Sequence, residues 1–286
     1  MDSLGRWFAA ARPGRALLAP MATTVGAGYA IFDARPGPGL GAYLVAIGGA
    51  LAAGVGVNFL DHAWDAGGAE APVAARDAWI AGAAGLALAA ASGTLLMKLA
   101  GSAAVGYGIL GTVLAASRRV PALGLDTLGW GFGELATAAA WGPCAVLSGF
   151  ATRAGTGSSG AFLAGVPVGL VATQALFARH FTGRDADIRL GRASPLVAVG
   201  AAGARRGLVL LPLIAAAAVA IAACVGEYGP WAVSAAAPMI VAASLAWRLP
   251  PTAEPEPVAR WERAAIVCAL ASLGCIAASL GIATTG

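Results

Sequence analysis

Residues 40–65 read LGAYLVAIGGALAAGVGVNFLDHAWD, an apolar run that ends in a polar cluster. The first 21 residues of this stretch carry no charged side chain. A helix needs about 20 mainly apolar residues to cross the roughly 30 Å hydrocarbon core of a bilayer. The stretch therefore predicts a transmembrane helix that presents Asn58, Asp61, His62 and Asp65 at a membrane surface.

The whole chain has the composition of this stretch. It contains 286 residues, of which 59% are hydrophobic and 11% charged, and its mean hydropathy is +0.78. Soluble proteins carry about 25% charged residues, so an ordinary soluble enzyme and a disordered chain are excluded. The formal net charge of +4 is small for this length and does not indicate a nucleic-acid partner. The composition predicts an all-α polytopic membrane protein, with residues 1–286 forming a single transmembrane domain.

Apolar runs bounded by charges and by Gly/Pro clusters predict about nine transmembrane helices. The third and fourth runs are separated by little more than Lys98. The predicted segments are 14–32, 40–60, 78–97, 99–117, 129–151, 161–180, 206–226, 229–247 and 263–284.

The distribution of basic residues predicts the orientation. With a cytoplasmic N-terminus, fifteen Lys and Arg residues fall on the inside, whereas Arg35, Lys98 and Arg153 fall outside. This asymmetry is the one that the positive-inside rule requires. We therefore expect an integral protein of the cell inner membrane, with its N-terminus and both acidic clusters on the cytoplasmic side.

The first acidic cluster has the spacing of one helical face. Asp61 and Asp65 are four residues apart, and Asn58 precedes Asp61 by three. Like charges at this spacing repel each other, and a divalent cation would relieve the repulsion. Hard oxygen ligands of this kind suit Mg²⁺ when substrate phosphates complete its coordination. The alternative is a solvated loop whose charges have no special role.

A second cluster, HFTGRDADIRLGR, covers residues 180–192 after the sixth predicted helix. On the predicted topology, Asp185 and Asp187 lie on the same side of the membrane as the first cluster and could supply a facing pair of ligands. Arginine forks suit phosphate oxygens. The combination predicts a diphosphate site above a cavity that lipids can reach. The arginines expected to bind the diphosphate, in addition to Asn58, are Arg118, Arg119, Arg184 and Arg192.

The two histidines of the chain, His62 and His180, each lie inside one of these clusters. A hydrogen-bonded structural histidine is one interpretation of each. The other is a metal ligand or a proton acceptor that works near neutral pH.

Four motifs, taken in order, resemble the UbiA-type intramembrane prenyltransferase superfamily. The similarity is greatest to its branch of 1,4-dihydroxy-2-naphthoate polyprenyltransferases of menaquinone synthesis. The motifs span nearly the whole chain and any single match is weak, but their order and spacing agree with that branch. They are Ala11-Arg12-Pro13; Asn58-x-x-Asp61-His62-x-x-Asp65; Gly131-Phe132-Gly133-Glu134 with Gly142-Pro143; and Phe181-Thr182-Gly183-Arg184-Asp185-Ala186-Asp187 with Gly191-Arg192.

The resemblance implies a UbiA-like ring of nine helices around a central cavity. It also implies transfer of a prenyl group from a polyprenyl diphosphate to a lipophilic aromatic acceptor, assisted by Mg²⁺ that two Asp-rich motifs hold. The metal ligands would be Asp61, Asp65, Asp185 and Asp187, and the catalytic residues would include Asp61, Asp65 and Asp187.

Both Asp-rich motifs depart from the family pattern. Asp61 occupies the position of an Asn, and His62 that of the first Asp. In the second motif Gly183 replaces an Asp and Arg192 replaces a Lys, while His180 stands where the branch often has a carboxylate. These changes leave two alternatives open: an intramembrane terpene cyclase of the same fold, and a non-catalytic membrane protein that binds an isoprenoid lipid.

Overall fold

The computed structural model describes residues 3–35, 39–65, 73–117, 124–129, 131–177, 179–182, 184–189, 191–249 and 255–282. These residues form helices and short connections, and none of them is in a strand. The all-α fold class predicted from the sequence is confirmed.

Fifteen α-helices, together with one π-helical and one 3₁₀ turn, make up the described chain. In chain order the helices are α1 (Ser3–Ala11), α2 (Pro13–Ala16), α3 (Leu18–Phe32), α4 (Leu40–Asp65), α5 (Ala75–Ala100), α6 (Ser102–Ser117), α7 (Leu125–Leu128), α8 (Phe132–Ala139), α9 (Ala145–Ala154), α10 (Ser159–Phe177), α11 (Arg179–Thr182), α12 (Arg184–Arg189), α13 (Pro195–Cys224), α14 (Ala236–Trp247) and α15 (Pro255–Ile282). The π-turn covers Ala140–Cys144 between α8 and α9, and the 3₁₀ turn covers Pro230–Ala235 before α14.

Seven helical segments of the described chain are long and apolar enough to cross a membrane. They make the chain an integral membrane protein. The other two predicted spans fall on α3 and α6, which have 15 and 16 residues. Both are shorter than the roughly 20 residues that a perpendicular crossing needs, so the count of nine stays a prediction.

Several helices extend beyond the predicted bounds because charged residues do not end them. Helix α13 begins at Pro195, eleven residues before the predicted span, and kinks at Gly200, whose φ is +70°. Helix α15 begins at Pro255, eight residues before the predicted span 263–284. The first span begins later than predicted, because Leu17 separates α2 from α3. The helices continue past Arg and Glu residues, which lie inside α13 and α15.

The long helices close into a ring. Each of α3, α4, α5, α6, α9, α10, α13, α14 and α15 packs against the next in this order, and α15 packs back against α3. Helix α3 also crosses the ring to pack closely against α9. The ring is therefore divided into two halves.

Two glycines allow α3 and α9 to approach each other. A Cβ atom at Gly26 would overlap the carbonyl oxygen of Val146, and one at Gly149 would overlap that of Thr23. In lipid, helices associate mainly through van der Waals contact, so small residues at a crossing have a large effect. The backbones of α3 and α9 touch at this crossing.

The two halves of the ring differ in packing. Helices α3, α9, α10, α13 and α15 enclose a continuous core that includes Phe150, Leu273 and Met239 from α14. On the other side of α3 and α9, the space enclosed with α4, α5 and α6 remains open as an apolar chamber. The predicted central cavity therefore lies in the N-terminal half of the bundle, and the C-terminal half is filled.

Replacing Gly149 by Ala should destabilise the protein by about 3 kcal/mol, the upper range for an added methyl group in a packed core. The helices must separate to admit the new Cβ atom. Thermal unfolding of the purified protein in detergent measures the effect. The control is Gly48→Ala on α4, where a Cβ atom would meet nothing within 4 Å. Equal thermal stability of the two variants would contradict the close α3–α9 crossing.

Candidate functional site: a polar pocket at the end of an apolar chamber

A small polar pocket lies at the end of the bundle where α4 finishes. Two of the sequence-predicted residues, Asn58 and Asp61, face this pocket together, as their spacing on one helical face predicts. Helices α2, α4, α6 and α10 and the π-turn supply its walls. The lining residues are Arg15, Val57, Asn58, Asp61, Ala115, Trp141 and Leu176.

Arg15 supplies the pocket with a buried positive charge. Its side chain is only 7% exposed, and its Nε donates a hydrogen bond of 2.7 Å to Oε1 of Glu262. A second guanidinium nitrogen of Arg15 contacts the same oxygen. Because a buried charge is costly unless it is paired, Glu262 holds Arg15 in place. The pair joins α2 to α15 beside Asp61.

Asn58 has a defined structural task. Its Nδ2 donates a hydrogen bond of 3.0 Å to the carbonyl oxygen of Ala11 and a longer one to that of Arg12. Arg12 separates α1 from α2 and has a positive φ of 47°, which is uncommon for a non-glycine residue. Asn58 therefore fixes the turn that presents Arg15 to the pocket.

The apolar chamber adjoins the polar pocket. Its volume is about 540 Å³, and Val57, Ala115 and Trp141 line both spaces. Most of the residues that line the chamber are Ala, Gly, Val and Leu residues of α4, α5 and α6. Trp141 lies in the π-turn, which also contains Pro143. Such π-turns are frequent at functional sites because they redirect side chains.

The second cluster is a network of ion pairs around His180. Nε2 of His180 lies 2.8 Å from Oε1 of Glu134, and Nδ1 lies 3.4 Å from Oδ2 of Asp187. Nη1 of Arg192 lies 3.5 Å from Oδ1 of the same aspartate. His180 and Asp187 are buried. The network connects α8, α11 and α12.

A glycine at the end of α12 brings Arg192 back to Asp187. Gly191 has a φ of +65°, and the N–H of Arg192 bonds to the carbonyl oxygen of Asp187 at 2.8 Å. The N–H of Gly191 bonds to the carbonyl oxygen of Ile188. This is the Schellman arrangement, which reverses the chain after a helix. The side chains of residues 187 and 192 can therefore meet.

His62 makes a contact with the backbone, as a structural histidine would. Its buried ring lies 3.1 Å, through Nε2, from the carbonyl oxygen of Val73. It is not among the side chains that line the polar pocket. The contact ties the end of α4 to the residues that precede α5.

The other residues that the sequence predicts for the site are not among the residues that line the polar pocket in the described part of the chain. Arg118 and Arg119 lie outside the described residues, directly after α6. Asp65 and Asp185 lie in α4 and α12, but their side chains are outside the description. Arg184 is exposed at the start of α12.

The structure adds three residues that the sequence interpretation missed as site residues. Arg15 was counted only as a cytoplasmic base, although it falls inside the predicted span 14–32. A basic residue within a membrane segment is itself a functional signal. Glu262 and Glu134 carry no local signal for their partners, because 247 residues separate Glu262 from Arg15 and 46 separate Glu134 from His180.

The arrangement suits an amphiphile with an anionic head. A hydrocarbon tail would fill the apolar chamber, whose volume is in the range of small-molecule sites. The head would then lie beside Arg15 and Asp61. Bound water would be scarce along the tail and available at the head.

No protein-family model and no curated protein sequence matches the chain. Solved structures do match it. A UbiA homologue from Aeropyrum pernix K1 in its apo form is 17% identical, with a TM-score of 0.66 over 92% of this chain and 97% of that one.

Two further structures are similar over nearly their full length. A UbiA homologue from Archaeoglobus fulgidus, bound to GPP and Mg²⁺, is 14% identical with a TM-score of 0.59, covering 94% of this chain and 99% of that one. A digeranylgeranylglyceryl phosphate synthase is 13% identical with a TM-score of 0.58, covering 99% and 100%. The chain has the fold of the UbiA prenyltransferase homologues.

Proposed function

We propose that this protein is an intramembrane prenyltransferase. It moves a prenyl group from an isoprenoid diphosphate to a lipophilic aromatic acceptor of the quinone-precursor type, with the assistance of Mg²⁺. The neighbour from Archaeoglobus fulgidus was solved with GPP and Mg²⁺, which supports the donor class and the metal. The motifs that resemble the menaquinone branch support the acceptor class.

One observation carries the proposal: the apolar chamber and the polar pocket share Val57, Ala115 and Trp141. An isoprenoid diphosphate has the same division into a long apolar tail and a compact anionic head. With its head beside Arg15 and Asp61, the reacting C1 carbon would lie near the junction. Trp141 would then adjoin the carbon at which charge develops, and an aromatic ring face attracts cations.

The reaction requires the C1–O bond of the donor to break, with the electron pair leaving on the diphosphate. An electron-rich carbon of the acceptor forms the new bond to C1, and the ring then loses a proton. Fixed positive charges stabilise the leaving diphosphate. Arg15 supplies one such charge, and Arg118, Arg119 and Arg192 are proposed to supply others. The apolar chamber excludes water from the allylic cation.

The first cluster is proposed to hold the magnesium ion. Asp61 and the side-chain carbonyl of Asn58 are hard oxygen donors that line the polar pocket, and Asp65 follows four residues after Asp61 in the sequence. Substrate oxygens and water would complete the coordination. The ion, when bound, would neutralise charge on the diphosphate.

Replacing Asp61 by Asn should lower kcat/KM at least 100-fold, because the variant lacks the negative charge that holds the metal against the diphosphate. The kcat/KM for prenyl transfer is measured with purified protein, geranyl diphosphate and Mg²⁺. A panel of hydroxynaphthoates and phenols serves as acceptors. Asp33→Asn is the matched control, since Asp33 is half-exposed and pairs with Arg35 after the far end of α3. Full turnover by Asp61→Asn would overturn the metal assignment.

Filling the chamber should change the preference for donor length. Ala53 lines the chamber one helical turn, or about 6 Å, from Val57. Ala53→Phe should therefore reduce kcat/KM for geranylgeranyl diphosphate about tenfold more than for dimethylallyl diphosphate. The control is Ala84→Phe on α5, which is exposed and does not line the chamber. An unchanged ratio in Ala53→Phe would show that the tail lies elsewhere.

The same assays separate the two alternatives. Cyclic hydrocarbons formed from the diphosphate without an acceptor would identify a terpene cyclase. Stabilisation by the diphosphate without any product would identify a binding protein, because a ligand stabilises the folded state that binds it whether or not it reacts.

A further inference from the structure

Helix α1 has an apolar face that the bundle does not cover. Leu4 and Phe8 are four residues apart and share one side of the helix, where they are 76% and 66% exposed. Ala10 is buried in a cluster with Phe59 of α4. Arg6, which is two residues from both Leu4 and Phe8, lies on the side opposite to them. The helix is therefore amphipathic, and its apolar side is open.

Helix α1 packs on the side of α4 that faces lipid. Leu44, Leu51 and Val55 share one face of α4, and the two leucines are exposed. Phe59 follows one turn after Val55 on this face and is buried. Trp7 of α1 packs against it edge to face, with 5.7 Å between the ring centroids. Helix α1 thus lies on the outside of the bundle, at one end of a lipid-facing surface.

The depth of this contact corresponds to a membrane surface. Helix α4 begins at Leu40, and Phe59 lies nineteen residues later, or about 28 Å along the helix. The hydrocarbon core of a bilayer is about 30 Å thick. Beyond Phe59, Trp64 of α4 meets Trp79 of α5 with ring centroids 5.0 Å apart, and Trp is enriched where a membrane meets water. Trp7 and its helix therefore lie at the level where the hydrocarbon ends.

The side chains of α1 match a lipid surface in both polarity and charge. Arg6 is the one charged residue among Ser3–Ala11, and it is exposed. Leucine and phenylalanine on one side, with arginine on the other, are typical of helices that lie in the plane of a membrane surface. Water would leave Leu4 and Phe8 hydrated, which is unfavourable. Anionic headgroups would attract Arg6.

We propose that α1 is an interfacial helix whose partner is a bilayer surface with anionic headgroups. Leu4 and Phe8 insert at the boundary of the acyl chains, and Arg6 binds headgroup phosphates. This contact with lipid does not depend on which reaction the protein performs.

The docked helix ends beside the polar pocket. Nδ2 of Asn58 donates hydrogen bonds to the carbonyl oxygens of Ala11 and Arg12, which follow directly after the membrane-bound part of α1. The next turn of the chain presents Arg15 to the pocket. The turn at Arg12 is then held at both ends, by Asn58 within the bundle and by the lipid contacts of α1.

Quenching of a fluorescent probe tests where α1 lies. Full-length protein is placed in lipid nanodiscs of phosphatidylcholine and phosphatidylglycerol, and an environment-sensitive fluorescent amino acid replaces Leu4, Phe8 or Ala9, one at a time. Ala9 is the matched control, because it is exposed and lies about 100° around the helix from Phe8. Nitroxides on the acyl chains should quench the probes at positions 4 and 8. Aqueous iodide should quench these two probes at least fivefold less than the probe at position 9.

Substitutions separate the apolar contribution from the electrostatic one. With the probe at position 8, the measured quantity is the ratio of iodide-protected to iodide-accessible probe, resolved by fluorescence lifetime. Leu4→Ser should lower this ratio at least tenfold, because a leucine side chain no longer inserts, whereas Ala9→Ser should leave it unchanged. Arg6→Gln should lower it about fivefold in discs that contain phosphatidylglycerol and leave it unchanged in discs of phosphatidylcholine alone.

Equal quenching by iodide at all three probe positions would overturn the inference, because the apolar face would then lie in water. Protection from iodide without quenching by the lipid nitroxides would also overturn it, since a protein surface, such as a second copy of this chain, would then cover the face. If Leu4→Ser does not fold, the three probe positions in the otherwise unchanged protein decide the point.

Discussion

The buried ion pair between Arg15 and Glu262 connects the two ends of the chain and determines the character of the site. Arg15 lies where α2 meets α4, and Glu262 lies in α15. The low dielectric of this region makes an unpaired guanidinium costly, so α2 and α15 must come together for Arg15 to be buried. Their association places a fixed cation beside Asp61. The same contact therefore ties α2 to α15 and places Arg15 in the polar pocket.

Packing elsewhere in the bundle determines where a substrate can lie. The contact of α3 with α9 through Gly26 and Gly149 fills the centre of the ring and leaves the open space to α4, α5 and α6. Small residues line that space, so backbone atoms and methyl groups form much of its wall. A chamber of this kind would select a substrate by the length and hydrophobicity of its tail. Recognition of the head depends on the few polar side chains at its end.

The sequence was sufficient to predict the fold class and part of the site. Apolar runs of about 20 residues reveal helices irrespective of their partners, and the three- and four-residue spacing placed Asn58 and Asp61 on one face. Helix ends were less predictable, as α13 and α15 show, because a charged residue at a membrane surface does not interrupt backbone hydrogen bonds. Arg15–Glu262 and Glu134–His180 could not be predicted, since each depends on helices that only tertiary packing brings together.

The two histidines also show that local sequence does not reveal the tertiary partners of a side chain. His62 and His180 were given the same two interpretations from the sequence. In the structure the first bonds to a backbone carbonyl, whereas the second lies between two carboxylates. Local sequence could not distinguish them because both have acidic neighbours. The difference arises from Glu134, which α8 brings to His180 alone.

The central claim is that the tail of an isoprenoid diphosphate occupies the chamber while its head lies beside Arg15 and Asp61. An experimental structure with geranyl thiolodiphosphate, an unreactive donor analogue, and Mg²⁺ tests it most directly. The account predicts density for the tail between α4 and α6, with the diphosphate contacting Arg15 and Mg²⁺ at Asp61. A diphosphate bound away from this pocket, with the chamber empty, would contradict it.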